Sequence, residues 1–430
     1  MARQSHANWA RTARSRDPIQ LLQRSNVGRS PDLVPIRFGR MLANPFTFFR
    51  GAAGLMAHDL AKTPATGVRV QVCGDCHLLN FGLFASVERR LIFDINDFDE
   101  TLPAPWEWDV KRLAASVAVA GRDLGVSDRK ARDCVEACVR SYRVALRRFS
   151  HMSPLEVWYA MMDIDALIAM APDAASKKQD RAYARAARRH VVEHVYPKLT
   201  VEVGGRPRFV DHPPLIFHDV RDDMEQRARE SLVAYRQSLP DERRVLFDRY
   251  RLEDVVVKVV GIGSVGTRCY LALLLSEDNQ PLILQIKEAT QSVLEPHAGR
   301  SAYDNHGQRV VIGQRLMQSS SDIFLGWARG PRGYEFYVRQ LRDMKFSPSL
   351  HAFATSQFGR YVDACGIVLA RAHAKSGDAI TISSYLGKSD SFDEAVVKFA
   401  VGYADQTERD YKALQRAVRS GRIKAIDENG

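Results

Sequence analysis

Three short stretches of the 430-residue chain carry residue types that can act on phosphate. In Gly74-Asp75-Cys76-His77-Leu78-Leu79-Asn80, Asp75 could orient or accept a hydroxyl proton, and Asn80, five residues on, could offer an amide oxygen to a metal ion. The acid-rich run from Asp94 to Glu100 contains Asp97-Phe98-Asp99, whose carboxylates are hard oxygen ligands of the kind Mg²⁺ takes alongside phosphate. Gly261-Ile262-Gly263-Ser264-Val265-Gly266 is the third stretch, with Lys287 downstream. Glycines at such a turn let backbone N–H groups approach phosphate oxygens, and a lysine on a neighbouring strand can reach the same phosphates.

Each stretch has a plain alternative: surface Asp is common, and a glycine-rich hairpin beside a solvated lysine needs no ligand. Together they supply a flap, a lysine, an acceptor Asp and metal ligands, the parts that phosphoryl transfer with ATP and Mg²⁺ requires. Asn80 and Asp97 are the first-choice metal ligands. Asp94 and Asp99 are held in reserve, because so dense a run of acids permits a shift of register.

The elements around the glycines decide what kind of loop they form. A Walker A loop needs Lys-Ser/Thr after its last glycine, and here Thr267-Arg268 follows. A dinucleotide-binding turn needs a following helix, whereas Arg268 to Leu275 is short, apolar and runs into the polar turn Glu277-Asp278-Asn279-Gln280-Pro281. Val255 to Val260, Arg268 to Leu275 and Leu282 to Ile286 therefore predict a three-strand meander with the glycines at its first turn. A helix over His306 to Gln318 and a strand over Tyr334 to Leu341 complete a small α+β unit.

Elsewhere the spacing predicts a helix-like run from Ala52 to Ala61, a strand from Gly67 to Val72, a polar loop from Cys73 to Asn80 and a second strand from Arg90 to Ile95. Helical spacing dominates from Trp106 to about residue 250, broken by prolines, and again near Leu350 to Ala374 and Phe392 to Val418. Four regions are expected: a basic arm at 1–40, a large helical lobe with the catalytic loop at 41–250, a glycine-flap lobe at 254–343, and helices at 344–430 returning to the large lobe.

Two other patterns read as coincidences. Cys73-Gly74-Asp75-Cys76-His77 fits haem attachment or half a zinc site, but neither an export signal nor a second ligand pair accompanies it. His190-Val191-Val192-Glu193-His194 fits a metalloprotease pattern, yet continues an Arg- and Ala-rich run typical of a solvated helix. Six cysteines are too few for a disulfide framework in a chain this long.

With 45% hydrophobic and 26% charged residues the chain is globular in composition, and no apolar run is long enough to span a membrane. Its 62 basic and 51 acidic residues give a net charge of +11. Eight arginines and two aspartates fall in the first 40 residues without an apolar segment after them, so a cytoplasmic location is expected, with an organellar transit segment as the other reading of an Arg- and Ser-rich start. Nucleic acid is a poor match for the charge, because the basic residues are scattered along helices without aromatics to stack bases.

The same residues resemble the protein-kinase-like superfamily, most closely its aminoglycoside and choline phosphotransferase branch. Gly74-Asp75 through Asn80 echoes that branch's H-G-D-x-H-x-x-N loop, and Asp97-Phe98-Asp99-Glu100 with Trp108-Asp109 echoes its later acidic segment. The chain from about 35 to 425 also resembles an uncharacterised bacterial family, domain of unknown function 2252, through Phe49-Arg50-Gly51, Cys73-Gly74-Asp75 and Asn96-Asp97-Phe98-Asp99-Glu100. The kinase resemblance implies a two-lobed α+β fold with a nucleotide and a hydroxyl-bearing acceptor as partners. Because the flap and Lys287 follow the catalytic loop, it also implies a circular permutation. Asp109 would brace the catalytic loop. Arg50 would either face an anionic substrate or serve as a helix cap or buried ion pair.

Three features depart from that pattern. Cys73 replaces a histidine, Arg268 a valine, and the helix over His306 to Gln318 has no glutamate for Lys287, leaving Glu288 or Glu295 as substitutes. Nucleotidyl transfer to a protein, a nucleotide-sensing pseudokinase and a basic nucleic-acid binder stand as alternatives to phosphoryl transfer.

Overall fold

The computed structural model describes residues 1–8, 16–219, 223–341, 344–346 and 355–426. The fold is α+β. The expected meander forms as Tyr250–Lys258, Cys269–Ser276 and Pro281–Glu288, paired antiparallel in sequence. It belongs to a six-stranded sheet in the spatial order Gly326–Arg329, Glu335–Gln340, Pro281–Glu288, Cys269–Ser276, Tyr250–Lys258, Ile216–Phe217. Leu271 through Leu275 are all buried, since the sheet is covered on both faces. Met224, Leu232 and Tyr235 pack with Leu252, Leu274 and Leu284 on one side, and Phe209 with Val256, Leu271 and Leu273 on the other. Covering both faces turns strands into continuous apolar runs, which is why these three were readable.

The expectation of helix throughout 125–250 fails at Thr200–Val203 and Arg206–Phe209, which form a hairpin. Its turn, Gly204-Gly205, has φ of +60° and +75° at successive residues, the backbone that glycine pairs adopt in two-residue hairpins. The strand Gly326–Arg329 also went unread; it is only four residues long. The helix expected near 350–374 is seen from Thr355 to Ser376, with 350–354 outside the described residues, as are 342 and 343 at the expected end of the flap unit.

The larger unit is built on four helices, Trp106–Asp123, Asp128–Phe149, Thr355–Ser376 and Ser391–Arg419. Against them lie two short antiparallel ribbons, Arg69–Val72 with Leu102–Pro105 and Phe81–Ala85 with Leu91–Ile95. The chain leaves the first ribbon through residues 73–80, makes the second, and returns through 96–101. Both connecting loops therefore meet at the junction of the ribbons, where Asn96 N donates to Asn80 O at 2.7 Å.

The basic first 40 residues are folded in wherever they are described. Helix Pro18–Arg24 opens on the cap of Asp17, and Arg16 is buried between Asp59 and Asp410, bonding each carboxylate at 2.7 Å. Burial pushes Asp59 up to about 6 even though Arg16 pulls the other way. Replacing Arg16 by Met should therefore cost roughly 3–5 kcal/mol in denaturant titrations at pH 8, because it strands two buried carboxylates. The loss should shrink at pH 5, where Asp59 takes up a proton and no longer buries a charge.

Candidate functional site

Helix Trp106–Asp123 carries the support for the first loop in its opening turns. Asp109 accepts Cys73 N at 2.8 Å and Gly74 N at 3.0 Å, and His373 Nε2 lies 3.4 Å from the same carboxylate. It braces the loop, as its position after Trp108 implied. Arg112, one turn on, donates through Nε to Asp75 Oδ1 at 2.7 Å and again through Nη2. Asp75 Oδ2 is left without a hydrogen bond to any described residue; His77 Nε2 lies 3.9 Å away, on a ring that burial and the nearby arginines hold well below the usual histidine pKa. Asn80 Nδ2 donates to the Asp75 carbonyl, closing the loop on itself. Gly74 sits at φ +82°, and a Cβ there would collide with the carbonyl of Glu100, so only glycine lets the two loops touch.

Lys287 bridges from the sheet to the second loop. Its Nζ pairs with Asp99 Oδ2, while Tyr337, directly opposite Lys287 on the next strand, donates its hydroxyl to Asp99 Oδ1 at 2.7 Å. Ser264 Oγ, at the tip of the glycine loop, donates to Asp99 at 3.3 Å. Burial alone would lower the Lys287 pKa, but Asp97 and Asp99 outweigh it and hold it well above the usual lysine value. Burial would likewise raise Asp99, and Lys287 reverses it.

Asp97 is treated differently. Among the described residues its carboxylate accepts only Asp99 N, at 3.2 Å, and burial followed by repulsion from Asp99 pushes its pKa up against the pull of Lys287 and Arg339. Half-buried and without a directly bonded cation among the described residues, Asp97 could hold a divalent cation, with the Asn80 amide oxygen on the adjoining loop as a second candidate ligand.

The glycine loop faces the same place. Its carbonyls are held from behind: Arg40 Nη1 donates to Gly261 O at 2.5 Å, Arg29 Nη1 to Val265 O at 2.6 Å and Ser30 N to Gly266 O at 2.7 Å. Val265 is fully buried beside Ile36, and Ile262 packs with Leu22 and Leu414. Among the described residues nothing accepts from the N–H groups of Gly263, Ser264 and Val265. Unbonded, successive N–H groups of this kind form an anion-binding nest.

Asp75, Asn80, Asp97, Asp99, Ser264 and Lys287 thus converge, while Gly261 and Gly266 lie on the docked side of the loop. Asp94 does not join them. It is buried under helix Thr355–Ser376, accepting from Arg371 at 2.8 Å and from Ser319 N and Oγ at 2.8 and 2.7 Å, and has no capacity left for a metal. Neither substitute glutamate reaches Lys287: Glu288 pairs with Arg268, and Glu295 bonds Ser292 N. Helix His306–Met317 contributes Arg309 instead, which clamps the acid loop through the carbonyls of Asp99 and Thr101 at 2.8 and 2.7 Å.

Arg112, Arg309, Arg339 and Tyr337 were not foreseen. Arg112 was discoverable from its three-residue spacing to Asp109, and Tyr337 from the strand register; Arg309 and Arg339 carry no local signal. Arg339 Nε bonds Gln285, and both line a cavity of about 500 Å³ with Lys258, Val260 and Asn96, the residue that precedes Asp97. The Asn96 Nδ2 amide is buried there without a partner.

The cysteine motif is partly closer to a metal site than its spacing indicated. Cys73, Cys76 and Asp109 bring their ligand atoms within 4.8 Å of one another, but both Asp109 oxygens already accept loop N–H groups and burial raises both thiols. All six cysteines are buried free thiols. His190 and His194 bond separate backbone carbonyls, of Lys345 and Arg189, and His190 precedes the helix Val192–Leu199.

Because Asp97 is more easily protonated in the folded than in the unfolded chain, it favours folding at low pH and opposes it above the carboxylate range. Asp97→Asn should therefore raise the thermal midpoint at pH 8, by an amount corresponding to on the order of 1 kcal/mol, with the gain fading towards pH 4. Scanning calorimetry across that range gives the comparison.

Residues 29–417 match the family model described as "Uncharacterized protein conserved in bacteria (DUF2252)", and the chain belongs to that family. No curated protein and no solved structure matches it. Among the described residues no helix is long and apolar enough to cross a membrane.

Proposed function

We propose that this member of the DUF2252 family is an ATP- and Mg²⁺-dependent phosphotransferase of circularly permuted kinase-like fold, acting on a hydroxyl-bearing acceptor. One observation carries the reading: Lys287 and Asp99, 188 residues apart, pair, with the tip of the glycine loop on the same carboxylate, in a loop that touches the one bearing Asp75 and Asn80. The permutation draws support from helix Thr355–Ser376, which follows the flap unit and ends against the strand that leads into the catalytic loop, with Ser376 Oγ bonded to Gln71 O at 3.4 Å.

The donor set fits the cofactors. Asp97 and Asn80 would hold Mg²⁺, which supplies charge neutralisation on the transferring phosphoryl group. Lys287 and the unbonded N–H groups of Gly263, Ser264 and Val265 would hold phosphate oxygens, so that the nucleotide displaces Lys287 and Ser264 from part of their contact with Asp99. The 500 Å³ cavity lies within the size range of small-molecule sites and would take the nucleoside. Asp75, fixed at Oδ1 by Arg112, presents Oδ2 to the acceptor hydroxyl, orienting it and taking its proton as the new O–P bond forms and the bond to the leaving ADP breaks.

Calorimetry with Mg·ATP should show binding to the wild type and a loss of at least about tenfold in Asp97→Ala and Lys287→Ala, with ADP as the product released. Release of AMP or pyrophosphate would replace phosphoryl with nucleotidyl transfer. Equal binding by all three proteins, or by none, would remove the reading.

A further inference from the structure

Arg50 is a cation of the site region that makes no hydrogen bond or ion pair with any described residue. It lies near the C-terminal end of helix Pro45–Gly51, whose start is fixed by the reciprocal bonds of Asn44 and Thr47. Its neighbours are locked in place. Phe48 and Phe49 are buried in different clusters, and the ring of Phe46 meets His77 edge-on at 6.4 Å. The Phe49 carbonyl accepts Arg112 Nη2 at 3.2 Å, and the Gly51 carbonyl accepts Arg37 Nη2 at 2.7 Å. Position 51 has no room for a side chain, since a Cβ would lie 2.6 Å from Met41 Cγ. The backbone that presents Arg50 is therefore rigid, and Arg112, which holds Asp75, also holds it.

The two protein-directed roles open to Arg50 are taken by other residues. At the end of its own helix the carbonyls of Phe49 and Gly51 are taken by Arg112 and Arg37, and Arg50 donates to no described carbonyl, so it is not the cap. No described carboxylate pairs with it, and its Nε is buried without a partner. Burial pulls its pKa down, and the charges of Asp75 and then Asp97, the proposed acceptor Asp and metal ligand, oppose this without bonding to it. Asp75 already has Arg112. A half-buried guanidinium with an unpartnered Nε, on a helix bonded to the arginine that holds Asp75, matches the planar oxygens of a phosphoryl group in flight.

Resting on the phosphotransferase reading above, we propose that Arg50 is a catalytic residue that donates to phosphate oxygens at the point of transfer. Those oxygens belong either to the transferring phosphoryl of the nucleotide or to a phosphate carried by the acceptor, and two arms of one experiment separate them.

Affinities would be measured for wild type, Arg50→Gln and Arg50→Lys, each checked for an unchanged thermal midpoint. The first arm compares Mg·ADP with Mg·ADP plus aluminium fluoride, a planar phosphoryl mimic. The second titrates inorganic phosphate, both alone and with the nucleotide site filled by a non-hydrolysable ATP analogue. If Arg50 contacts the transferring group, Arg50→Gln keeps its Mg·ADP affinity within about twofold and loses about 100-fold of the added affinity for aluminium fluoride. Arg50→Lys does not restore it, because an ammonium cannot reproduce the two-pronged contact. If Arg50 serves the acceptor, the aluminium fluoride gain survives and phosphate binding beside the analogue is lost.

A variant that retains both overturns the proposal while the phosphotransferase reading stands. Wild type that fails to bind Mg·ADP removes that reading; Arg50-dependent binding of phosphate alone would then still support an anion site at Arg50, and its absence would overturn that as well.

Discussion

Asp75, Asp97, Asp99 and Glu100 are crowded, half-buried, within two touching loops, and a fold holds that many carboxylates together more easily when cations reach the loops from elsewhere. They come from distant parts of the chain: Lys287 from the sheet, Arg112 from the helix under the first loop, Arg309 from the helix beside the sheet. The Lys287–Asp99 pair is the centre of this exchange, because it ties the sheet to the loops by charge as well as by packing. Asp97 is left the least compensated, and a site that accepts a metal needs one such ligand.

The two loops can meet because of the ribbon arrangement. One chain excursion makes both ribbons, so residues 73–80 and 96–101 cross at a single junction. Helix Trp106–Asp123 follows directly and sets Asp109 under the first loop. Gly74 removes the side chain that would keep the loops apart. Every one of these features is short in sequence, and none would be stable without the helices packed behind it.

The glycine loop is anchored from one side by the start of the chain. Three of its carbonyls are bonded by residues 29–40, and two of its apolar side chains are buried among helices at the two ends of the chain. These contacts fix the loop's conformation from one side, leaving the N–H groups of Gly263, Ser264 and Val265 without an acceptor among the described residues. The basic start of the chain thus acts as part of the site's scaffold.

By itself the amino-acid sequence determined the chemistry available and much of the small sheet. The glycines, Lys287, the five-residue spacing of Asp75 and Asn80, and the Asp97-Phe98-Asp99 run are local patterns, and strands buried on both faces announce themselves as apolar runs. The Gly204-Gly205 hairpin was written there too, but inside a helix-rich stretch its signal was outweighed. Which acid faces the cleft was decided only by tertiary structure. Asp94 and Asp99 look equivalent in a row of carboxylates, yet one is consumed by Arg371 and Ser319 and the other meets Lys287 and Tyr337. Partner choice of that kind depends on which elements the packing brings together across hundreds of residues, and no local spacing encodes it.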